Sequence, residues 1–505
     1  MANKKSTSIC HPLYDARLGD WKFLRDHYEG GRHFATKGYL QRHPSESDDG
    51  FKSRKDRAID YRNFPEMVIS IYITHLWQKE PSRAGFPKPI QDLFTNVDNR
   101  GTDADTFFKR TATDSMVEGI SFVLVDMPRI PQGARVLTKA DEMSLNLRPY
   151  LVPYGPQQVV DWSIETKDPA RMGKFNWVVL KEDLLIPEGG EDVPFTKRKE
   201  ATQFKVIYRD RWEVWVNDAE GNPVKTEEGP HGFGEVPLVP FFNVKRGDMD
   251  GASAIKDIAP LASKLFNKLS LLDEAEYWAG IPVLFIFSKA VVTKLGLGQV
   301  RAVGLDPEDR AEYLQQSADA IEAIRRSCNG LVQHILRLAL KQVSEQKETS
   351  QVESADKKKM DREEFVGTLA DKAANFEDAE NRVWAFVAKG LKQTLPENAM
   401  ATYNRKFEAD RIAEQLEEAV SVQALSLPSK SFHLEFYKRL TAAILSDAKP
   451  DDLAKIAKEL EAWSAENQDD AMASSADRIY KEVRAKLDAE TPGSEPPAVQ
   501  PPAAK

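Results

Sequence analysis

Near Gly251 the hydrophobic period of this chain changes from two to between three and four, and that switch decides what each half can fold into. Upstream, from Tyr150 to Phe242, FNWVVLKEDLLI, TQFKVIYRDR and RWEVWVND alternate or run apolar between clusters of Gly, Pro and Asp, the pattern of a β-meander. Trp212 and Trp215 read there as core aromatics, and Ala219 to Pro223 as a turn before a short exposed strand. Earlier still, Leu13 to Trp77 carries helical patterns broken by RHFATKGYLQRHPSESDDG, an exposed loop by its Pro, Ser, Asp and Gly. FPEMVISIYITHLW reads as a buried helix, Thr102 to Glu118 as a helix ended by Gly119, and ISFVLVDMP as a buried strand stopped by Pro128.

Downstream of Gly251 the chain is helical almost to its end. IKDIAPLASKLFNKLSLLDEAEYWAG is one long helix with Ile258, Leu261, Leu265, Leu269 and Leu272 on a single stripe. The strand IPVLFIF follows, and then KAVVTKLGLGQVRAVGLD. Asp306, Pro307 and Glu308 predict a helix start, Asp as cap and Pro in the first turn, for a helix running through AIEAIRRSCNGLVQHILRLAL. From 341 to 364 only Val343, Val352, Ala355 and Met360 are apolar, after which Phe365, Leu369, Ala373, Phe376, Val383 and Val387 resume a helical stripe. Two amphipathic helices thus flank a polar insertion. Lys406 to Leu445 and Asp451 to Leu487 form a further helical block, and the proline-rich TPGSEPPAVQPPAAK predicts a disordered tail. The fold class is α+β.

Bulk properties exclude several functions. At 505 residues and 41% hydrophobic composition the chain has room for roughly three cored domains at ~150 residues each. A net charge of −9 gives no general attraction to nucleic acid or to an anionic membrane, so any DNA contact is local or weak. Cys10 and Cys328 make neither a disulfide framework nor a zinc spacing, which predicts a reducing compartment. MANKKSTSICHPLYD lacks an apolar signal region, and the longest apolar run, Ile281 to Phe287, is far short of the ~18 residues of a membrane span, so a soluble, unexported protein is expected.

Chemistry is equally absent from the motifs. There is no GxxxxGK[ST], HExxH or GxSxG, and Gly296-Leu297-Gly298 lacks the setting of a dinucleotide site, so neither ATP hydrolysis nor any cofactor is expected. His334 reads as a helix-face residue rather than a ligand or base. Asp273, Glu274 and Glu276 read as a solvated face rather than a magnesium site, and the KKK at 357 to 359 is neutralised by the DREE that follows.

The order of these elements resembles the portal proteins of tailed bacteriophages. A portal-like "W…RD…G…YL" opening is matched by Trp21, Arg25, Asp26, Gly30, Tyr39 and Leu40. RKDRAIDYRNFPEMVISIYITHLWQKEP, EGISFVLVDMP, VPLVPFFN and the run GIPVLFIFSKAVVTKLGLGQVRAVGLDPEDRAEYLQQSADAIEAIRRSCNGL extend the likeness over residues 13 to 400. The chain departs from the pattern at Glu348-Thr349-Ser350, where relatives carry a Thr-Ala-Thr-like run, and after Tyr403.

The resemblance implies a ring-forming fold. It assigns 1–250 to a mixed α/β wing domain, 251–279 to a first stem helix, 280–305 to a clip, 306–340 to a second stem helix and 341–355 to a tunnel loop. A long wing helix over 356–400, a helical crown over 401–487 and the tail from 488 to 505 complete the chain. It further implies a homo-oligomer, a dodecamer at one capsid vertex of the virion, assembled in the host cytoplasm. Double-stranded DNA would pass through its channel, and terminase, major capsid or scaffold proteins and head–tail adaptor proteins would be its partners, with no membrane. Lys341, Gln342, Glu345, Lys347, Glu348, Thr349 and Ser350 would face the DNA, Glu308, Glu312, Asp319 and Glu322 would line the stem, and Phe285, Lys289, Lys294 and Arg301 would form the docking rim of the clip.

Transport sets an electrostatic demand on such a channel. Neutralising six to ten phosphates binds tightly enough that affinity falls by roughly 10³ to 10⁵ between 50 and 200 mM salt, and loops gripping that firmly would stall the DNA. Lys341 and Lys347 stand against Glu345, Glu348 and Glu353, and an acidic stem lining is expected beside them. Another head–tail connector or phage structural protein would share the ring, a cellular helical scaffold would share the helices, and a metal-dependent nuclease would need a carboxylate cluster that the sequence does not assemble.

Overall fold

The computed structural model describes residues 10–57, 61–129, 147–188, 193, 195–218, 222–280, 283–287, 310–314, 318–342, 355–405 and 407, with 456, 458 and 459 in a second unit that begins at Glu408. The first unit opens with α1 (Pro12–Glu29), α2 (Asp48–Arg57) and α3 (Phe64–Leu76). Each of α1 and α3 begins with a side chain accepting from the first turn and a proline inside it: His11 receives the Leu13 N–H, and Asn63 that of Glu66. Then come β1 (Ser82–Ala84), the single turn α4 (Lys88–Gln91) and α5 (Ala104–Glu118), capped by Asp103 and closed by Gly119 at φ 90°.

β2 (Ile120–Asp126) organises everything around it. It lies between β3 (Tyr150–Tyr154) and β9 (Leu238–Phe242) in an antiparallel three-stranded sheet. Its period of two feeds two cores at once: Val123 and Val125 join the helical core, while Ile120, Phe122 and Leu124 join a second core with Trp162, Val178 and Leu180. Between β3 and β9 runs the meander β4 (Val159–Ile164), β5 (Phe175–Pro187), β6 (Arg198–Tyr208), β7 (Arg211–Asn217) and β8 (Pro223–Pro230). The expected single β-stretch is therefore two sheets, because Tyr150–Tyr154 and Leu238–Phe242 find the unpaired edges of β2.

The second half holds α6 (Ile258–Gly280), β10 (Val283–Phe287), β11 (Arg310–Leu314), α7 (Ala318–Gln342), α8 (Ala355–Gly390) and β12 (Met400–Thr402). Every residue of the expected α8 stripe is buried, as are Ile258, Leu265, Leu269 and Leu272 of α6. α8 runs through the helical core, where Phe376 and Trp384 are each worth about 1.5–3 kcal/mol of burial or more.

Four expectations need correcting. The second stem helix does not start at Asp306: residues 310–314 are a strand, and the helix begins at Ala318. The apolar strand β10 needs a partner for its backbone groups, and Arg310–Leu314 supplies it, so long-range pairing overrides a good capping signal. Residues 310–314, expected in that helix, thus pair with the strand expected in the clip. The crown does not begin at 401, since Met400–Thr402 pairs with β1 and Ala401 and Tyr403 are buried in the main body. The loop between α1 and α2 is anchored rather than merely exposed: Phe34 and Leu40 are buried beside Phe266 of α6. Finally, Lys341 and Gln342 end α7 instead of starting a loop.

The residues of the "W…RD…G…YL" opening make this junction. Trp21 is buried, Arg25 bridges to Asp114 at 2.8 Å and Glu118 at 2.7 Å, and Asp26 accepts from the Tyr39 hydroxyl at 2.8 Å. Gly30, at φ 53°, lies so close to Tyr61 and Asn63 that a Cβ would strike both.

Candidate functional site

α6 leaves the body, the chain pairs β10 against β11, and α7 returns along α6. This helix–hairpin–helix excursion is held by apolar contact on one side and polar locks on the other. Ile335 and Cys328 of α7 are buried, with Ile321, Ile324, Leu331 and Val332 packed beside them, and burial pushes the Cys328 thiol up, which makes it a core residue rather than a nucleophile. Arg325 reaches across to Glu276 at 2.7 Å, and Lys268 of α6 donates to the Ser327 hydroxyl.

The opposite face of α7 is open. Asp319, Arg326, Asn329, Gln333, His334 and Arg337 are exposed along it, His334 thus standing on the helix face. Glu322 pairs with Arg325 at 3.3 Å and Arg326 at 3.7 Å. Over the described part of α7 two carboxylates, Asp319 and Glu322, meet three guanidiniums, Arg325, Arg326 and Arg337. Of the residues expected to line an acidic stem, this helix carries Asp319 and Glu322 and is not acidic as a whole. The expected acidity rested on Glu308, Asp309 and Glu312, and Glu312 lies in β11 opposite Phe285, while Glu308 and Asp309 fall outside the described residues.

The remaining expected site residues divide in the same way. Phe285 sits mid-strand in β10, and Lys341 and Gln342 occupy the last turn of α7. Glu345, Lys347, Glu348, Thr349, Ser350, Lys289, Lys294 and Arg301 lie outside the described residues. The polar insertion is nonetheless framed: α7 ends at Gln342 and α8 starts at Ala355.

Glu274, Glu276 and Glu322 on these helices are engaged by guanidiniums. Glu274 is taken up by Arg57, whose guanidinium also lies 4.3 Å from the Tyr277 ring centroid, and Glu276 is taken up by Arg325. Among the described residues no three His, Cys, Asp or Glu side chains converge to hold a metal ion, and no helix is long and apolar enough to cross a membrane.

Two polar centres that sequence reading did not reveal lie on α8. Glu380 is completely buried against Arg83, Trp384 and Tyr403, and Lys372 is buried against Asn243 and Tyr72. The one available signal was a charged residue placed inside the apolar stripe of a helix.

Residues 254–389, from just ahead of α6 to the end of α8, match the family described as "Domain of unknown function (DUF4055)". No curated protein matches the sequence. A solved chain described as "Neck of empty GTA particle computed with C6 symmetry" is similar over 79% of this chain and 96% of that one, at 10% identity and a TM-score of 0.36.

Proposed function

We propose that this chain is a structural protein of a phage particle, and within that class a portal: one subunit of a ring at a capsid vertex through which DNA is packaged and later ejected. The observation that carries the reading is the excursion of α6, β10, β11 and α7, followed by a polar segment and the return of α8 through the core of the body. Two helices that leave and re-enter a folded body, tipped by a hairpin, suit a channel wall with a docking rim at its end. Terminase and head–tail connector proteins would meet that rim around β10 and β11, and residues 343–354 would approach the DNA.

The protein would act as a passive conduit. With Arg325 and Arg326 both sharing Glu322, and Arg325 also tied to Glu276, part of the positive charge of α7 is cancelled within the chain, and the small remainder offers the phosphates only weak attraction. Low drag then comes from charge cancellation rather than from a repelling acidic wall.

Negative-stain imaging of the purified full chain tests the reading directly. Closed rings with an axial hole are expected, and a uniform monomer at micromolar concentration would overturn it. Deleting Glu345 to Ser350 is expected to leave ring yield unchanged, because no residue of a described core is removed, while lowering packaging or DNA retention in a complementation test. Lys341→Ala with Lys347→Ala should do less than the deletion. Loss of rings on deletion would instead place the segment in a subunit contact.

A further inference from the structure

β5 and β6 outrun the sheet to which they belong. The β4 ladder along β5 reaches only Leu180 and the β7 ladder along β6 only Gln203, yet β5 and β6 stay paired for five more rungs, from Asp183 with Thr202 out to Pro187 with Arg198. At ~3.3 Å per residue this is an arm about 16 Å long with no third strand, and a lone two-stranded hairpin is marginal in water. Its β6 strand is charged at Arg198, Lys199 and Glu200, but its β5 strand is apolar where a solvated arm would be polar. Leu184 is 37% exposed, Leu185 59% and Ile186 48%, and Phe195, at φ 62° just before β6, holds its ring fully in solvent. Leu184 and Ile186 continue the strand face that Val178 and Leu180 bury further back.

The other end of β5 forms the wall of a hole. Gly173, Lys174 and Phe175 border a groove of about 450 Å³ whose apolar lining includes Leu238, Phe242 and Phe386. Every charge on its rim already has a partner within the chain. Glu235 takes Lys174 at 3.1 Å and Lys389, Asp378 takes Arg382 at 3.3 Å, and Asp248 takes Lys245 at 3.7 Å. Lys174 and Lys389 share one carboxylate, which leaves the rim a single excess positive charge, whereas an aromatic or branched aliphatic side chain finds an apolar floor.

Arm and groove cannot meet within one copy. Phe175 and Pro187 bound the same extended strand, which holds them about 40 Å apart. We propose that the arm of one copy seats Ile186 and Phe195 in the groove of the next, a head-to-tail contact between two different surfaces of a second copy of this chain. The inference rests on the ring reading, since cyclic closure requires two unlike, complementary faces on every subunit. Both faces lie at opposite ends of a single strand, so the contact would also set the spacing between neighbours.

The test uses the full chain with Cys10→Ser, Cys328 being buried. One preparation carries Phe195→Cys and another Ala385→Cys, at the groove. On mild oxidation the mixture should give a disulfide-linked dimer at least ten-fold above either preparation alone. The variant Leu184→Ser, Ile186→Ser, Phe195→Ser should lose rings in negative stain while keeping the wild-type circular dichroism. No enrichment of the mixed dimer overturns the inference, and if the wild type and the triple-serine variant then both form rings, the ring reading survives without it. Mixed dimers from a chain that forms no closed ring would establish the head-to-tail contact and overturn the ring reading instead.

Discussion

Glu380→Ala is expected to remove about 3–5 kcal/mol of stability, the usual cost of stripping one partner from a buried ion pair. Glu380 has no solvent exposure, and its two oxygens are fully used. Oε1 accepts from Arg83 Nε at 2.6 Å and from the Trp384 indole at 2.9 Å, and Oε2 accepts from the Tyr403 hydroxyl at 2.6 Å. The Arg83 side chain, 6% exposed, keeps Asp105 at 2.7 Å and the faces of Phe94 and Phe108 once the carboxylate is gone. Burial alone would favour loss of the guanidinium charge, but Glu380 and Asp105 more than offset it and hold Arg83 firmly protonated. Burial, and then Glu380, likewise push the Tyr403 hydroxyl well above its usual range, so it stays a neutral donor. Alanine would leave a buried cation, an indole N–H and a hydroxyl short of partners at once, where each unsatisfied group costs about 1–3 kcal/mol. Because domains are stable by only about 5–15 kcal/mol, urea unfolding followed by tryptophan fluorescence should show the midpoint collapse. A loss below about 1 kcal/mol would refute this account, and the double change Glu380→Leu with Arg83→Met should recover much of the loss by removing both charges together.

What these side chains connect explains why the sequence conceals them. β1, α5, α8 and the residue after β12 supply Arg83, Asp105, Glu380 and Tyr403, and the longest separation, from Arg83 to Tyr403, spans most of the unit. Hydrophobic period reports which face of an element is buried, so the α8 stripe, the α6 stripe and strand β2 could all be read in advance. It says nothing about which distant carboxylate meets which guanidinium. The same limit explains β11, where Asp306-Pro307-Glu308 is a sound local start signal but the pairing of Arg310–Leu314 with Val283–Phe287 is a non-local fact. It also explains the stem electrostatics, because moving Glu312 from a helix into a strand removes it from the face whose charge was being summed. The candidate site was legible as an order of elements and not as a set of contacts.

Lys372 gives the second large effect, and it is read through pH. The side chain is 3% exposed, its ammonium donates to Asn243 Oδ1 and lies 4.9 Å from the Tyr72 ring centroid. Burial lowers its pKa from 10.5 to about 8, with only Asp371 opposing. A lysine whose folded pKa lies below its unfolded one binds fewer protons when folded. Stability therefore rises with pH between about 8 and 10.5, and the cost of burying the charge is complete below that window. At 1.36 kcal/mol per unit the cost at pH 7 is about 3 kcal/mol. Lys372→Met deletes the titration along with the charge. Its stability relative to the wild type also includes the loss of the Asn243 bond and the aromatic contact, but those losses do not titrate in this range. The difference between the two proteins should thus move by about 3 kcal/mol in favour of the wild type from pH 7 to pH 10.5, measured by urea unfolding at each pH. A flat difference would mean that the ammonium is solvated in the folded state. Asn243 is also the residue whose amide donates to the Ala252 carbonyl at 2.7 Å, in the segment that leads into α6. The Lys372–Asn243 bond therefore joins α8 to that segment, and its loss in the Met variant should loosen the base of α6 at every pH.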